Sequence, residues 1–265
     1  MELIFGDCLE KMKDLSKNSI DIVIADLPYG RFKHLEWDKA IDLGVMWKQL
    51  NRICKDRTPI FLFGDMKFGI ELINSNPKGF KYEIVWNKEI TTTPLLSRIR
   101  LGKATEYIFI FYKKQPIYNY AKYHKKIKNK KVVSSLITGS KTKYTHSQSK
   151  VYEPTLPTNF IQTSHLNHRG NPVDFSNACS YEPTLPTNVI NGRVKRTNKI
   201  IKRITEKPQF ILEFLLKYFS NPGDICLDIC MGSGSCGVAC KSLKRKFIGI
   251  ENNKDHYEKA KKRLV

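Results

Sequence analysis

Apolar and polar positions along the 265-residue chain alternate between short apolar runs and segments of helical spacing. Ile20-Asp21-Ile22-Val23-Ile24-Ala25 is a β-branched run closed by Pro28 and Gly30, which predicts a buried strand with Asp26 at its carboxyl end. Ahead of it, Glu2 to Phe5 reads as a short extended lead and Leu9 to Leu15 as a helix; behind it, Arg31 to Asp38 reads as a loop carrying Trp37. Apolar residues at Ile41, Val45, Trp47, Leu50 and Ile53 predict an amphipathic helix over Ala40 to Cys54. Pro59 to Gly64 then predicts a strand, Lys67 to Asn74 a helix, and Tyr82 to Trp86 and Tyr107 to Tyr112 two further strands. Strands alternating with helices predict an α/β fold on a doubly wound parallel sheet.

The same pattern returns at Pro208. Phe210-Ile211, Phe214-Leu215 and Tyr218-Phe219 recur at helical spacing and stop at Asn221-Pro222-Gly223. Asp224 to Ile229 predicts a strand, Gly232-Ser233-Gly234-Ser235-Cys236-Gly237 a tight glycine turn, Val238 to Leu243 a helix, and Lys246 to Glu251 the next strand. Glycines at this turn let a ligand approach the backbone, and an acid closing the next strand is placed to accept hydrogen bonds from ribose hydroxyls. The turn alone would suit a nicotinamide oxidoreductase. For that cofactor, however, such a unit opens a domain, and here only Asn252 to Val265 follows it. The front of the chain must supply the missing strands, which places Gly232 to Gly234 and Asp26 on neighbouring strands of one sheet.

Between these halves the composition changes. From Lys113 to Arg203 there are 18 Lys and Arg against 3 Asp and Glu, so 15 of the net +21 charge is local. Tyrosines at Tyr118 and Tyr120, a lysine run over Lys125 to Lys131 and frequent Ser, Thr and Asn interleave there, the mixture of a nucleic-acid surface. The octapeptide Tyr-Glu-Pro-Thr-Leu-Pro-Thr-Asn occurs at 152–159 and again at 181–188, a local duplication of stiff, turn-rich backbone.

Overall composition narrows the class. With 41% hydrophobic residues the chain buries a full core, and its charge calls for a polyanionic partner. No apolar run approaches the ~18 residues of a membrane span, so the expected partner is nucleic acid and no membrane. The start, Met1 to Asp7, lacks the pattern of a signal peptide, so a cytoplasmic location is expected. Seven cysteines contain no C-x-x-C pair; Cys226, Cys230, Cys236 and Cys240 crowd one apolar segment and read as buried reduced thiols, and His165, His168 and Cys179 as loop residues, so no metal is expected.

Asp26-Leu27-Pro28-Tyr29 combines a carboxylate acceptor, a stiff turn and a flat ring, a set suited to holding a nucleobase by its amino group. In isolation it is equally a strand ending in a turn. Joined with Asn221-Pro222-Gly223-Asp224, Cys230-Met231-Gly232-Ser233-Gly234 and Phe247-Ile248-Gly249-Ile250-Glu251 far downstream, it resembles the β-group of S-adenosylmethionine-dependent DNA amino-methyltransferases, in which the catalytic motif precedes the cofactor motif in a circularly permuted order.

The resemblance implies a Rossmann-like methyltransferase domain over 1–112 and 205–265, with an inserted target-recognition region over 113–204. It implies methylation of N6 of a flipped-out adenine in double-stranded DNA, with Asp26, Leu27, Pro28 and Tyr29 as catalytic residues. It implies that Asp7 and Cys8 line the adenine of S-adenosyl-L-methionine, that Asp228, Gly232, Ser233 and Gly234 approach its methionine portion, that Glu251 binds its ribose, and that Cys230 and Asn252 also belong to the cofactor-binding set. For Asp7 the reading as an acid that caps the following helix stands beside this one. Arg203-Ile204-Thr205-Glu206-Lys207-Pro208 resembles a further family block and keeps its Thr and Lys, which adds Thr205 and Lys207 to the cofactor set. Leu27 replaces a proline, yet contributes only its backbone carbonyl; Ile229-Cys230 replaces Pro-Phe, which removes an aromatic contact. Enzymes of this group that make N4-methylcytosine usually carry Ser in place of Asp26, so N4-cytosine methylation is the alternative product, and a DNA-binding module with a vestigial cofactor pocket the alternative class. A second copy of the chain and a cognate restriction endonuclease are the further expected partners.

Overall fold

A computed structural model of the protein describes residues 1–30, 40–88, 105–123, 125–126, 152–153, 189–191 and 206–265. Trp37, His165, His168, Cys179 and Thr205 lie outside the described residues, as do the second octapeptide and all but Tyr152 and Glu153 of the first. Met1–Tyr118 together with Ile190–Val265 form one compact unit and Asn119–Val189 a second.

In chain order the elements are β1 (Glu2–Phe5), α1 (Cys8–Lys11) with a 3-10 turn over Met12–Asp14, β2 (Ile22–Asp26), α2 (Leu43–Ile53), β3 (Ile60–Gly64), α3 (Met66–Ser75), β4 (Phe80–Asn87), β5 (Thr105–Phe111), α4 (Tyr120–Tyr123), β6 (Lys125–Lys126), β7 (Tyr152–Glu153), β8 (Val189–Asn191), α5 (Gln209–Phe219), β9 (Ile225–Asp228), α6 (Ser235–Ser242), β10 (Lys246–Glu251) and α7 (Lys254–Leu264). Eight strands form one sheet in the order β1-β10-β9-β2-β3-β5-β4-β8, and β6 pairs with β7 separately.

The first and last thirds of the chain interleave within that sheet. β1 lies parallel to β10, β10 to β9, β9 to β2 and β2 to β3. The expectation that Asp26 and the glycine turn stand on neighbouring strands therefore holds, with Ile22 opposite Cys226 and Val23 opposite Leu227. The sheet departs from the all-parallel expectation at β5, which runs antiparallel to both β3 and β4. An apolar run specifies burial on both faces, not direction, so this reversal left no mark in the hydrophobic pattern.

Side-chain parity divides the core into two layers. Ile22 and Ile24 of β2, Phe61 and Phe63 of β3, and Ile108 and Ile110 of β5 pack with Ile211, Leu212, Leu215 and Leu216 of α5 and with α6 and α7. The alternate residues, Val23, Ala25, Ile60, Leu62, Phe109 and Phe111, pack against Met46, Trp47, Leu50 and Ile53 of α2 and Phe68 and Leu72 of α3. Successive side chains of a strand point to opposite faces, so continuous apolar runs are what a sheet covered on both sides requires. Leu50, Ile53, Ile211, Leu215 and Leu216 are fully buried, each worth roughly 1.5–3 kcal/mol relative to exposure.

Two helices begin elsewhere than their spacing predicts. α2 starts at Leu43 rather than Ala40, because Asp42 is extended and its side chain accepts the Val45 N–H at 3.0 Å. α6 starts at Ser235 rather than Val238: Gly234, at φ +80°, is the left-handed residue that turns the chain into the helix. The expected Leu9–Leu15 helix is one α turn followed by one 3-10 turn.

Candidate active site

β9 to β10 crosses through α6 toward one edge of the sheet, and β2 to β3 crosses through α2 toward the other, so the carboxyl ends of β9 and β2 flank the point where the winding reverses. Ligands of open α/β sheets bind in that crevice. A cavity of about 1080 Å³ opens there. Asp7, Cys8, Asp26, Leu27, Pro28, Tyr29, Lys207, Asp228, Cys230, Gly232, Ser233, Glu251 and Asn252 all line it. Gly234 stands one step behind, where an added Cβ would lie 2.9 Å from Leu264 Cδ1.

On the β9–β10 side, carboxylates hold backbone. Glu251, 7% exposed, accepts the Gly232 N–H at 2.8 Å with Oε2 and the Asn253 N–H at 2.8 Å with Oε1. The glycine turn is thereby tied to the end of β10, while each oxygen keeps a second lone pair for a ligand. Gly232, at φ +52°, has open space where a Cβ would stand, so backbone conformation rather than crowding demands glycine. Asp228 accepts the Cys230 N–H at 3.1 Å. Burial pushes its carboxyl well above the usual range against that N–H, and Asp26 and Glu251 push it further. Asp7 accepts the Leu9 and Glu10 N–H groups at 2.8 and 3.2 Å, so it caps α1 and lines the cavity at once. The Cys230 thiol, next to Cys8, is pushed up by the hydrogen bond to Cys8 and by burial.

On the β2–β3 side, side chains hold one another. Tyr29 donates to Asp26 Oδ1 at 3.2 Å, and its ring lies 4.7 Å from that of Phe68. Burial raises its hydroxyl far above the usual phenol range, and Asp26 and Glu106 add to this. Lys207, which the sequence assigns to the cofactor set, donates to Asp26 Oδ2 at 2.6 Å and to Glu106 Oε1 at 2.8 Å, with its ammonium 5.2 Å above the Phe63 ring. Burial alone would lower the lysine; the two carboxylates outweigh it and keep it cationic. Glu106 also accepts Lys88 at 2.6 Å. Burial would raise its carboxyl, but Lys207 and Lys88 hold it below the usual range.

Sequence reasoning missed Glu106, Lys88, Glu206 and Arg263. Parity was the signal for Glu106: it continues the face of Ile110 and Ile108, as Asp26 continues that of Ile22 and Ile24. The block preceding α5 then delivers Lys207 onto that same face. Glu206 in that block accepts Ser235 Oγ at 2.8 Å and pairs with Arg263 of α7. Cys226, Cys236 and Cys240 bring their sulfurs within 4.8 Å of one another in the apolar layer behind the turn. Among the described residues no helix is long and apolar enough to cross a membrane.

A family model described as DNA methylase matches residues 20–262. The chain is similar to the Type II methyltransferase M.HpaI of Haemophilus parainfluenzae, at 26% identity over 99% of this chain and 73% of that protein. It is similar also to the DNA adenine methyltransferase YhdJ of Escherichia coli, at 25% identity over 99% of this chain and 82% of that one. Among solved structures, the M1.HpyAVI–SAM complex superposes with a TM-score of 0.60 at 23% identity, covering 99% of this chain and 98% of that one. The cytosine-N4-specific PvuII DNA methyltransferase superposes with a TM-score of 0.62 at 15% identity, covering 99% and 86%. At these identities the structures share the fold, whichever base they modify.

Proposed function

The chain belongs to the DNA methylase family, and on that premise we propose that it transfers a methyl group from S-adenosyl-L-methionine to N6 of a flipped-out adenine at a chosen site in duplex DNA, with Asp26 as the accepting carboxylate. The observation that carries this reading is that Asp26 and the Gly232 turn close neighbouring parallel strands and line one cavity. The cavity fits the cofactor. Its volume accommodates a nucleoside joined to an amino acid, Gly232 leaves space beside its backbone, and Asp228 and Glu251 offer carboxyl oxygens to an ammonium and to ribose hydroxyls. When bound, S-adenosylmethionine supplies a methyl group on sulfonium that needs no further activation.

Adenine N6 is a poor nucleophile, because its lone pair is delocalised into the ring, and in a duplex it is buried in the stack. Flipping it out costs a few kcal/mol, offset by a pocket that packs on the base. Tyr29, backed by the buried ring of Phe68, is the aromatic residue of the cavity beside Asp26. The Asp26 carboxylate and the Leu27 carbonyl accept hydrogen bonds from the two N6 hydrogens, draw the nitrogen toward tetrahedral geometry and stabilise the positive charge it gains as the methyl–sulfur bond breaks; one of these protons then leaves to solvent to give the neutral product. Alignment of the reacting atoms and this electrostatic support supply most of the acceleration. Choice of site belongs to residues 113–204, where most of the positive charge lies; charge supplies affinity, and amide, hydroxyl and guanidinium side chains reaching base edges supply the choice. The Type II designation of M.HpaI supports a cognate endonuclease as companion.

Mass spectrometry of nucleosides from DNA co-expressed with the protein, in a host lacking its own methyltransferases, tests the reading. N6-methyladenine is the expected product; N4-methylcytosine alone would overturn the assignment of the base.

A further inference from the structure

Asp26 meets an incoming amino group with each of its oxygens already accepting one donor, so the strength of those donors sets how well it can accept another. In this structure Oδ1 accepts Tyr29 and Oδ2 accepts Lys207. An ammonium at 2.6 Å is a stronger donor than a neutral aromatic amine, and it is also a positive charge where the reaction builds another. Left alone with Asp26, Lys207 would weaken the carboxylate as an acceptor. It is not left alone. Glu106 sits at 2.8 Å from the same ammonium, 13% exposed, at the start of an antiparallel strand whose direction brings it to the end of the sheet where Asp26 lies and whose parity puts it on the same face. Lys88, at the end of β4, closes the chain of charges at 2.6 Å from the other Glu106 oxygen. The four groups sum to zero, so none of these ions is buried without a counterion.

We propose that Glu106 is a positioning residue: by holding the Lys207 ammonium when the target amino group reaches Asp26, it frees one Asp26 oxygen for the reaction. Lys207 thus has two carboxylates with similar distances and one ammonium to share between them. Entry of the base replaces one partner of Asp26 without stranding a charge, because Lys207 keeps Glu106. The inference rests on the reading that Asp26 accepts the N6 hydrogens. Glu106 lines the same cavity, and its proposed effect on Asp26 runs through the shared Lys207 ammonium.

The test uses the full-length protein, S-adenosylmethionine carrying a labelled methyl group, and total DNA from a host without adenine methylation. Glu106→Gln keeps the shape and removes the charge, which leaves the ammonium to Asp26. Its rate at saturating DNA should fall about tenfold or more, less than direct loss of the acceptor. Its affinity for S-adenosylmethionine by calorimetry and its KM for DNA should stay within about twofold, below the resolution of one hydrogen bond. The diagnostic measurement is the second substitution. Lys207→Met placed on Glu106→Gln removes the competing ammonium and should recover several-fold of the lost rate, whereas a structural role for Glu106 predicts a further fall. Glu106→Asp, which retains the charge, should stay nearer the original rate than Glu106→Gln. An unchanged rate in Glu106→Gln, loss of cofactor binding in it, or a double variant slower than the single one would each overturn the proposal. Failure of the underlying reading looks different: Asp26→Ala would then still methylate DNA.

Discussion

The two walls of the cavity are built from opposite materials. On the β9–β10 wall, carboxylates accept backbone N–H groups, as Glu251 does from Gly232 and Asn253 and Asp228 from Cys230. On the β2–β3 wall, side chains pair with side chains, as Tyr29 and Lys207 do with Asp26 and as Glu106 does with two lysines. Backbone donors are fixed by the fold, so the first wall is a rigid cradle. Ion pairs between flexible side chains exchange partners by rotamer changes, so the second wall can release an oxygen to an incoming group. A ligand that keeps one pose through the chemical step suits the cradle; a base that must displace an existing partner suits the exchangeable wall.

The sharpest way to break this contrast is Asp26→Ala, which should lower methyl transfer on the order of 10³-fold, the scale of losing a preorganised electrostatic group. Cofactor affinity, read by calorimetry, should hardly move; a parallel loss of binding would merge the two walls into one unit. Glu251→Ala should do the converse and act through binding. It unpairs two backbone donors held by a buried charge, each worth roughly 1.5–3 kcal/mol, so S-adenosylmethionine affinity should fall about 100-fold or more.

A smaller effect separates framework from site. An added Cβ at Gly69 of α3 would lie 1.9 Å from Phe109 Cζ, so Gly69→Ala should cost about 1–3 kcal/mol by overpacking, a fall in Tm of roughly 2–4 °C per kcal/mol for a chain of this size. Cofactor affinity in the folded fraction should be unchanged. The smallest effect is a gain. Burial raises Asp228 above its ordinary value of 3.8, so the folded chain keeps this proton where the unfolded chain has lost it. Its contribution to stability is therefore complete below that value and is lost as pH rises through the folded one. Asp228→Asn should raise the Tm of the cofactor-free protein at neutral pH by about 2–4 °C, the equivalent of ~1 kcal/mol, with the advantage shrinking toward pH ~4. An advantage that grows on acidification would show that Asp228 is ionised in the fold.

What the chain disclosed before its structure follows the same division. Asp26 and Glu251 were legible because each closes an apolar run, and a run that stops at an acid marks the carboxyl end of a strand; Asp228 came only with the family resemblance, since Ile229 prolongs its apolar run beyond the strand's end. The glycine turn was legible because glycines in that spacing serve a backbone conformation. Glu106 was not, since its meaning depends on β5 running antiparallel between β3 and β4, and strand direction is settled by pairing rather than by composition. Lys207 was found as a motif residue, yet its place against Asp26, 181 positions away, is set by how the segment preceding α5 packs on the sheet. The early start of α6 was hidden because Ser235, Cys236 and Gly237 lack helical periodicity, and Gly234 rather than a side-chain cap initiates the helix.

The pairing of β2 with β9 joins residues separated by about 200 positions, as the Ile225 N–H to Asp21 bond illustrates with a separation of 204. Closing a loop of that length costs about 5 kcal/mol of chain entropy, yet doubling it adds only ~0.6 kcal/mol, because the cost rises with the logarithm of length. Neither Asp26 nor the glycine turn belongs to that loop's basic middle, residues 113–203 of the sequence. A change in the length of that loop therefore costs the β2–β9 seam almost nothing, so the two strands that close on Asp26 and on the glycine turn stay paired whatever the loop between them carries.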